Sequence, residues 1–144
     1  REDRFLGEAE YETIAKVKEA ISIPVIANGD IDSLEKAEQV LKMTKADAIM
    51  IGRGALGNPW LFRSLIERQP YLPTIEERYQ VILEHISALH HFYGAEKGIR
   101  VARKHLLWYL GEREIPSEWR SAMLREKIPE KQLEWVARIF LDQI

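Results

Sequence analysis

The sequence contains no cysteine. Within these residues that removes disulfide scaffolds, thiolate metal sites and a cysteine nucleophile, and it fits a reducing, cytoplasmic compartment. Long apolar runs are missing too. The longest uncharged apolar stretches span only a few residues, against roughly 20 for a membrane helix, and nothing reads as a signal peptide. Neither sign of charge prevails, with 21 Lys and Arg against 23 Asp and Glu, so bulk charge points to no partner. Low-complexity tracts and solenoid repeats are absent. What remains is an ordinary globular composition, 46% hydrophobic and 31% charged over 144 residues, enough for one core or two small ones. The chain opens on Arg1 in the polar run REDRFLGEAE, and it is read as a piece of something longer.

Two patterns follow one another. Up to about residue 72, apolar runs at Ile23–Ala27 and Asp47–Ile51 alternate with helical stretches near Glu8–Ala20, Ser33–Met43 and Gly57–Arg68. Continuous apolar strands separated by helices imply parallel pairing with both faces covered, the α/β class. After QPYLPT (Gln69 to Thr74) the strand signals stop. Thr74 with Glu77 fits a capping box, and Tyr79, Ile82, Leu83, Ile86, Leu89 and Tyr93 make one helical stripe. Further helices are expected over Ala95–Leu110, stopped by Gly111, around Ser117–Lys127, and from Pro129 to Phe140. Residues 73–144 thus read as a helical bundle. Two βα units leave open edges and uncovered faces, so residues 1–72 need more sheet. An open doubly wound sheet or a (β/α)8 barrel would complete them. The order favours the barrel, whose phosphate site is built from the loops after its last two strands. Exposed strand edges would also permit dimers or strand-swapped association, and the sequence does not choose an oligomeric state.

Each apolar run ends in a glycine corner. IPVIANGDI closes on Asn28, Gly29 and Asp30; DAIMIGRGALGNPW turns through Gly52, Arg53 and Gly54. Backbone amides at such corners suit a phosphate, and an arginine adds parallel donors. Taken singly, each corner is equally a bare strand-to-helix turn with Arg53 solvated. Two on neighbouring strands favour the anion. Asp30 would orient backbone or meet a sugar-like hydroxyl, and is otherwise a helix-start residue.

In GIRVARKHLLWYL, Arg100, Arg103 and Lys104 stand at i, i+3 and i+4, opposite an apolar face of Ile99, Ala102, Leu106 and Tyr109. Lys97 to His105 holds four Lys or Arg and no acid. Such a ridge fits RNA phosphates, although a short one is ordinarily a solvated face. His85, His90 and His91 share a helix without the spacing of a metal site, and surface or partial packing is expected for them. His105 either reaches RNA or packs. Trp108, Trp119 and Trp135 are expected mainly as core anchors, with the option that one exposed ring stacks on a base. Trp60, after Pro59 at a helix start, is expected to seal the barrel end.

Three segments, GEAEYETIAKVKEAISIPVIANGDI, ADAIMIGRGALGNPWLF and HHFYGAEKGIRVARKHLLWYL, together resemble the last third of bacterial tRNA-dihydrouridine synthases, the B-type subgroup in particular. The resemblance runs from Gly7 to about Leu110. It implies the last two βα units of an FMN-binding (β/α)8 barrel followed by a helical tRNA-binding domain. It also implies FMN- and NADPH-dependent reduction of the C5–C6 bond of particular tRNA uridines, with no membrane and no metal. By that resemblance Asn28, Gly29, Asp30, Gly52 and Arg53 contact FMN, with Gly54 a weaker match. Arg100, Arg103, Lys104 and His105 face tRNA, since ARKH matches the family's signature in its helical domain. The family's catalytic cysteine, and the lysine and histidine that attend the flavin, have no counterpart here, so the 144 residues are expected to be inactive alone. The alternatives are another flavin barrel that reduces a small molecule, a non-catalytic RNA-binding fragment, or a purely structural fragment that binds neither flavin nor tRNA.

Overall fold

Short β-branched and apolar runs bounded by Asp and Gly become strands only when they find a neighbour. In the computed structural model, which describes residues 9–111 and 113–141, β1 (Ile26–Asn28) and β2 (Ala48–Met50) pair in parallel, Ala27 opposite Ile49 and Asn28 opposite Met50. The crossover that parallel neighbours require is α2 (Leu34–Thr44). Ser33 starts it by accepting the Lys36 amide at 3.1 Å, and Lys45, in left-handed conformation, ends it. Before the sheet runs α1 (Tyr11–Ala20); the expected start at Glu8 lies outside the described residues. Asp47 fastens β2 to what precedes it, its Oδ2 accepting from the Val25 amide at 2.7 Å and from Lys18 Nζ at 2.6 Å. Those bonds hold the Asp47 carboxyl below its ordinary range, the Lys18 bond foremost. Tyr11, Ala27, Ile31, Ala37 and Val40 form the core of this unit.

The strands are shorter than the expected runs Ile23–Ala27 and Asp47–Ile51, and the pair leaves the uncovered face that two βα units alone imply. Ala27 is buried, but Ile26 and Met50 are 62% and 56% exposed. Side chains alternate across a strand, so α1 and α2 cover one face of the pair and the other face presents apolar groups. After β2 comes a short 3-10 turn (Arg53–Ala55), then α3 (Leu61–Glu67), shorter than the expected Gly57–Arg68 because Asn58 to Trp60 form a turn and Arg68 is left-handed. Trp60, expected to seal the barrel end, is half-buried at the start of α3.

The chain divides into two compact units, Arg1–Tyr71 and Leu72–Ile144. The described part of the second is helical: α4 (Ile75–Tyr93), α5 (Ala95–Leu110), α6 (Ser117–Arg125) and α7 (Pro129–Phe140). Thr74 and Glu77 make a reciprocal capping box on α4, the hydroxyl accepting the Glu77 amide at 3.1 Å and the carboxylate the Thr74 amide at 2.9 Å. Helix α4 packs on α5 and α7, and α6 on α7. Ile82, Ile86, Ile99, Ala102, Leu106, Met123, Val136, Ile139 and Phe140 are buried there. Gly98 permits the α4–α5 approach: a Cβ on it would stand 2.7 Å from the His90 Cα and 2.8 Å from the Leu89 carbonyl oxygen. The α4 stripe ends on His90, not Tyr93, which is exposed. His90 is buried more fully than the expected surface position or partial packing because Gln132 of α7 satisfies it: Nε2 donates to the Gln132 Oε1 at 2.8 Å. No helix among the described residues is long and apolar enough to cross a membrane.

Candidate functional site

The two glycine corners stand at the same end of the sheet, the ends of parallel strands one register apart. Asn28 Nδ2 donates to the Met50 carbonyl at 2.9 Å and pins the strand ends together. Gly29 follows at φ 140°, where a Cβ would lie 2.4 Å from the Ala9 Cβ, and its carbonyl accepts the Tyr11 hydroxyl at 2.7 Å. Asp30 is left-handed, φ 46°, a conformation aspartate tolerates better than most residues. Its Oδ2 accepts the Ala9 amide at 2.9 Å and its Oδ1 accepts Arg53 Nη2 at 3.1 Å. One carboxylate therefore braces the corner from below and holds the arginine of the next.

Gly54 supplies the close approach that joins the turns. A Cβ there would come within 2.2 Å of the Ile31 carbonyl oxygen and 2.9 Å of the Asp32 Cα, both main-chain atoms. Around the corresponding Cβ position of Gly52 nothing lies within 4 Å, so that side of the turn is open. The Arg53 side chain is 60% exposed beside it. Asn28, Gly29, Asp30, Gly52 and Arg53 thus sit together, with an arginine and an open backbone turn at the rim. Sequence reasoning missed Ala9 and Tyr11. An alanine amide two residues before a helix and the phenol of its first residue carry no pattern that would reveal a bond to a turn about twenty residues later.

In the helical unit, α5 buries Ile99, Ala102, Leu106 and Tyr109 and turns Lys97, Arg100, Lys104 and Trp108 outward. Those four, with Val101 and His105, line a shallow groove of about 380 Å³. Arg103 departs from the expected ridge. It is half-buried, and its Nη2 donates to the Glu126 carbonyl at 3.2 Å, at the end of α6. The separation follows from helix geometry: position 103 lies about 100° around the axis from position 104. Trp108 departs in the other direction, being 40% exposed rather than an anchor in the core. Trp119 and Trp135 are half-buried, with Arg138 over both rings, 4.2 and 5.2 Å from their centroids.

His105 packs against two neighbouring rings while still lining the α5 groove. Its ring makes T-shaped contacts with Trp108 at 5.1 Å between centroids and with His85 at 4.6 Å. His85 Nδ1 lies 2.9 Å from the Tyr109 hydroxyl. Burial lowers the pKa of both histidines, with the His85 charge adding to the effect at His105, and burial raises that of Tyr109. Near neutral pH the phenol keeps its proton and donates it to a neutral His85. Arg78 donates to the Tyr109 carbonyl at the end of α5. Among the described residues no group of three or more His, Cys, Asp or Glu converges as a metal site would.

Comparison with known proteins gives a consistent result. A tRNA-dihydrouridine synthase B of Pasteurella multocida (strain Pm70) is 56% identical over 134 residues, covering 90% of this chain and 40% of that protein. The protein of the same name from Pseudomonas aeruginosa is 45% identical over 148 aligned residues, 99% of this chain and 45% of that protein. One from Vibrio cholerae is 50% identical over 135, covering 90% and 42%. The chain thus spans less than half the length of these curated relatives. The family model described as dihydrouridine synthase (Dus) matches residues 1–144, and the chain belongs to that family.

Proposed function

We propose that residues 1–72 are the last βα units of a flavin-binding (β/α)8 barrel and residues 73–144 its tRNA-binding helical domain. The complete protein reduces the C5–C6 bond of particular uridines in tRNA, a cytoplasmic reaction that uses FMN and NADPH. The observation that carries the reading is the Arg53–Asp30 contact at 3.1 Å, which joins two glycine corners on adjacent parallel strand ends. In a barrel of this kind, the loops after the last two strands form the phosphate site. The uncovered face of β1 and β2, with Ile26 and Met50 exposed, suits the interior of a closed barrel, where alternate side chains of every strand pack in layers.

The residues fit the anionic end of FMN. The open side of the turn at Gly52 admits an anion without steric opposition, and Arg53 brings a positive charge next to it. Asp30, itself negative, is offset by that arginine and orients it. When bound, FMN supplies the hydride for C5–C6 reduction. The cysteine acid that the family resemblance implies for the matching proton would come from outside these residues, which hold no cysteine. The chain's own part is to retain the coenzyme's phosphate at Gly52 and Arg53, and to grip tRNA through Lys97, Arg100 and Lys104. Arg103, tied to Glu126, supports α5 instead of contacting RNA.

The test uses the complete enzyme and unmodified tRNA. Arg53→Ala is expected to lose flavin on desalting, by about tenfold or more in affinity, as removal of a charge-assisted contact does. The R100Q/K104Q double variant is expected to keep flavin, bind tRNA more weakly, and flatten the salt dependence of log Kd by roughly 1.5. Full flavin retention by Arg53→Ala would remove the first assignment, and an unaltered salt slope the second.

A further inference from the structure

Trp108 is an anomaly on its helix. Everything else that large and apolar on α5 is buried or half-buried, yet this indole is 40% exposed and lines the groove beside Lys104 and Arg100. Lys97, Arg100, Lys104 and Trp108 span about 80° of the helix circumference at about 100° per residue, and about 16 Å of its length at about 1.5 Å per residue. At the other end of that stripe, Lys97 Nζ lies 4.9 Å from the centroid of the Tyr93 ring, which is 39% exposed and has Phe92 in T-shaped contact at 4.8 Å. Three cations therefore run along one line with a partly exposed aromatic ring at either end, the combination of charge and ring by which proteins bind unpaired nucleotides.

The indole is also held in place. It meets His105 in a T-shaped contact at an interplanar angle of 80°, His105 meets His85 in another, and the Tyr109 hydroxyl reaches His85. A ring braced from behind loses little freedom when a base covers its outer surface. A duplex offers no separate base face, because its bases are stacked on one another. We infer that Trp108 is a stacking platform for one unpaired nucleobase of the bound tRNA, seated in the α5 groove with its phosphates on Arg100 and Lys104. This rests on the tRNA reading above and adds what it lacks, a contact that selects a splayed nucleotide over plain backbone charge.

Complete enzyme carrying Trp108→Ala or Trp108→Phe, with R100Q/K104Q alongside, is titrated with unmodified tRNA at several salt concentrations, following both affinity and tryptophan fluorescence. Expected for Trp108→Ala is a loss of about 5- to 150-fold in affinity, the range of one base–aromatic stack, with the salt slope unchanged. Trp108→Phe should retain most of the affinity, since phenylalanine also stacks, while the quenching of indole emission on tRNA binding falls. The proposal is overturned if Trp108→Ala binds tRNA as wild type does, if Trp108→Phe loses as much as Trp108→Ala, or if quenching persists undiminished in Trp108→Phe. An unchanged salt slope in R100Q/K104Q would instead overturn the underlying tRNA assignment, so the two failures are distinguishable.

Discussion

Arg53 and Asp30 meet across two strand ends, guanidinium Nη2 to carboxylate Oδ1 at 3.1 Å, while the other carboxylate oxygen accepts the Ala9 amide at 2.9 Å. The pair is partly solvated, 60% and 38% exposed, so its direct contribution to stability is small, within about 1 kcal/mol. Its effect is positional. A long arginine side chain loses rotamer freedom when a fixed carboxylate holds it, and less entropy then remains to be lost when an anion binds.

Asp30→Asn separates stability from positioning. Asparagine keeps the shape and tolerates φ 46°, yet removes the charge that holds Arg53. The expected outcome is an unfolding free energy within about 1 kcal/mol of wild type, together with weaker flavin retention by the complete enzyme. Urea unfolding and the flavin-to-protein absorbance ratio after gel filtration give the two readouts. Unchanged retention would mean that Arg53 needs no help from Asp30.

Gly54→Ala should act through the fold. The added methyl meets the Ile31 carbonyl oxygen at 2.2 Å, and neither atom is the flexible end of a side chain. The turns must separate, at a cost of about 1–3 kcal/mol by the usual scale of overpacking. A lowered thermal midpoint is expected, accompanied by weaker flavin retention because the corner opens. A variant as stable as wild type would show that the two turns can move apart freely.

Much of this was legible in the sequence, for identifiable reasons. Helices α5 and α7 were bounded by strong local signals, Gly111 at one end and Pro129 at the other, and the capping box at Thr74 was written in two residues. The buried face of α5 followed from spacing alone. What the spacing could not give was the fate of a side chain at the margin of a face. Arg103 sits between the apolar and charged sides of α5, and only the nearby end of α6 decides that it donates to Glu126. His90 likewise looked superficial or partly packed until Gln132, 42 residues away, supplied its acceptor. At the strand corner, glycine and arginine were visible, but the bonds from Ala9 and Tyr11 were not, because they depend on how α1 docks.

Gly98→Ala sets two opposing effects against each other. Alanine is the better helix former by about 1 kcal/mol, which favours the substitution in an isolated α5. In the folded unit its methyl would stand 2.7 Å from the Cα of His90, so α4 and α5 must move apart. Displacing two packed helices costs about 1–3 kcal/mol and outweighs the propensity gain. The expected result is net destabilisation in urea unfolding, with weakened tRNA binding because the α5 groove shifts. Net stabilisation would mean that the helices separate without cost.

Acidification should loosen the bracing of Trp108, and the sign follows from burial. His85 and His105 have folded pKa values below the ordinary value near 6.5, since burial partly desolvates each and the His85 charge adds to the effect at His105. Below about pH 6.5 the unfolded chain therefore binds more protons at these two sites than the folded chain. Their contribution to stability is fully present above that pH and is lost as pH falls through the folded values. The hydrogen-bonded carboxyls of Asp47, Glu67 and Glu126 are held low instead, so their stabilisation disappears only below about pH 4 and leaves the window between 6.5 and 5 to the histidines. Urea midpoints measured from pH 7.5 to 5 should decline in wild type and decline less in the H85Q/H105Q variant, whose amides neither titrate nor require charge inside the ring stack. Protonation of His85 also removes the acceptor that the Tyr109 hydroxyl uses, which frees the ring behind Trp108. The tRNA affinity of the complete enzyme should then depend on Trp108 less at pH 5.5 than at 7.5. Equal slopes in the two proteins would show that the histidines titrate as though exposed to water.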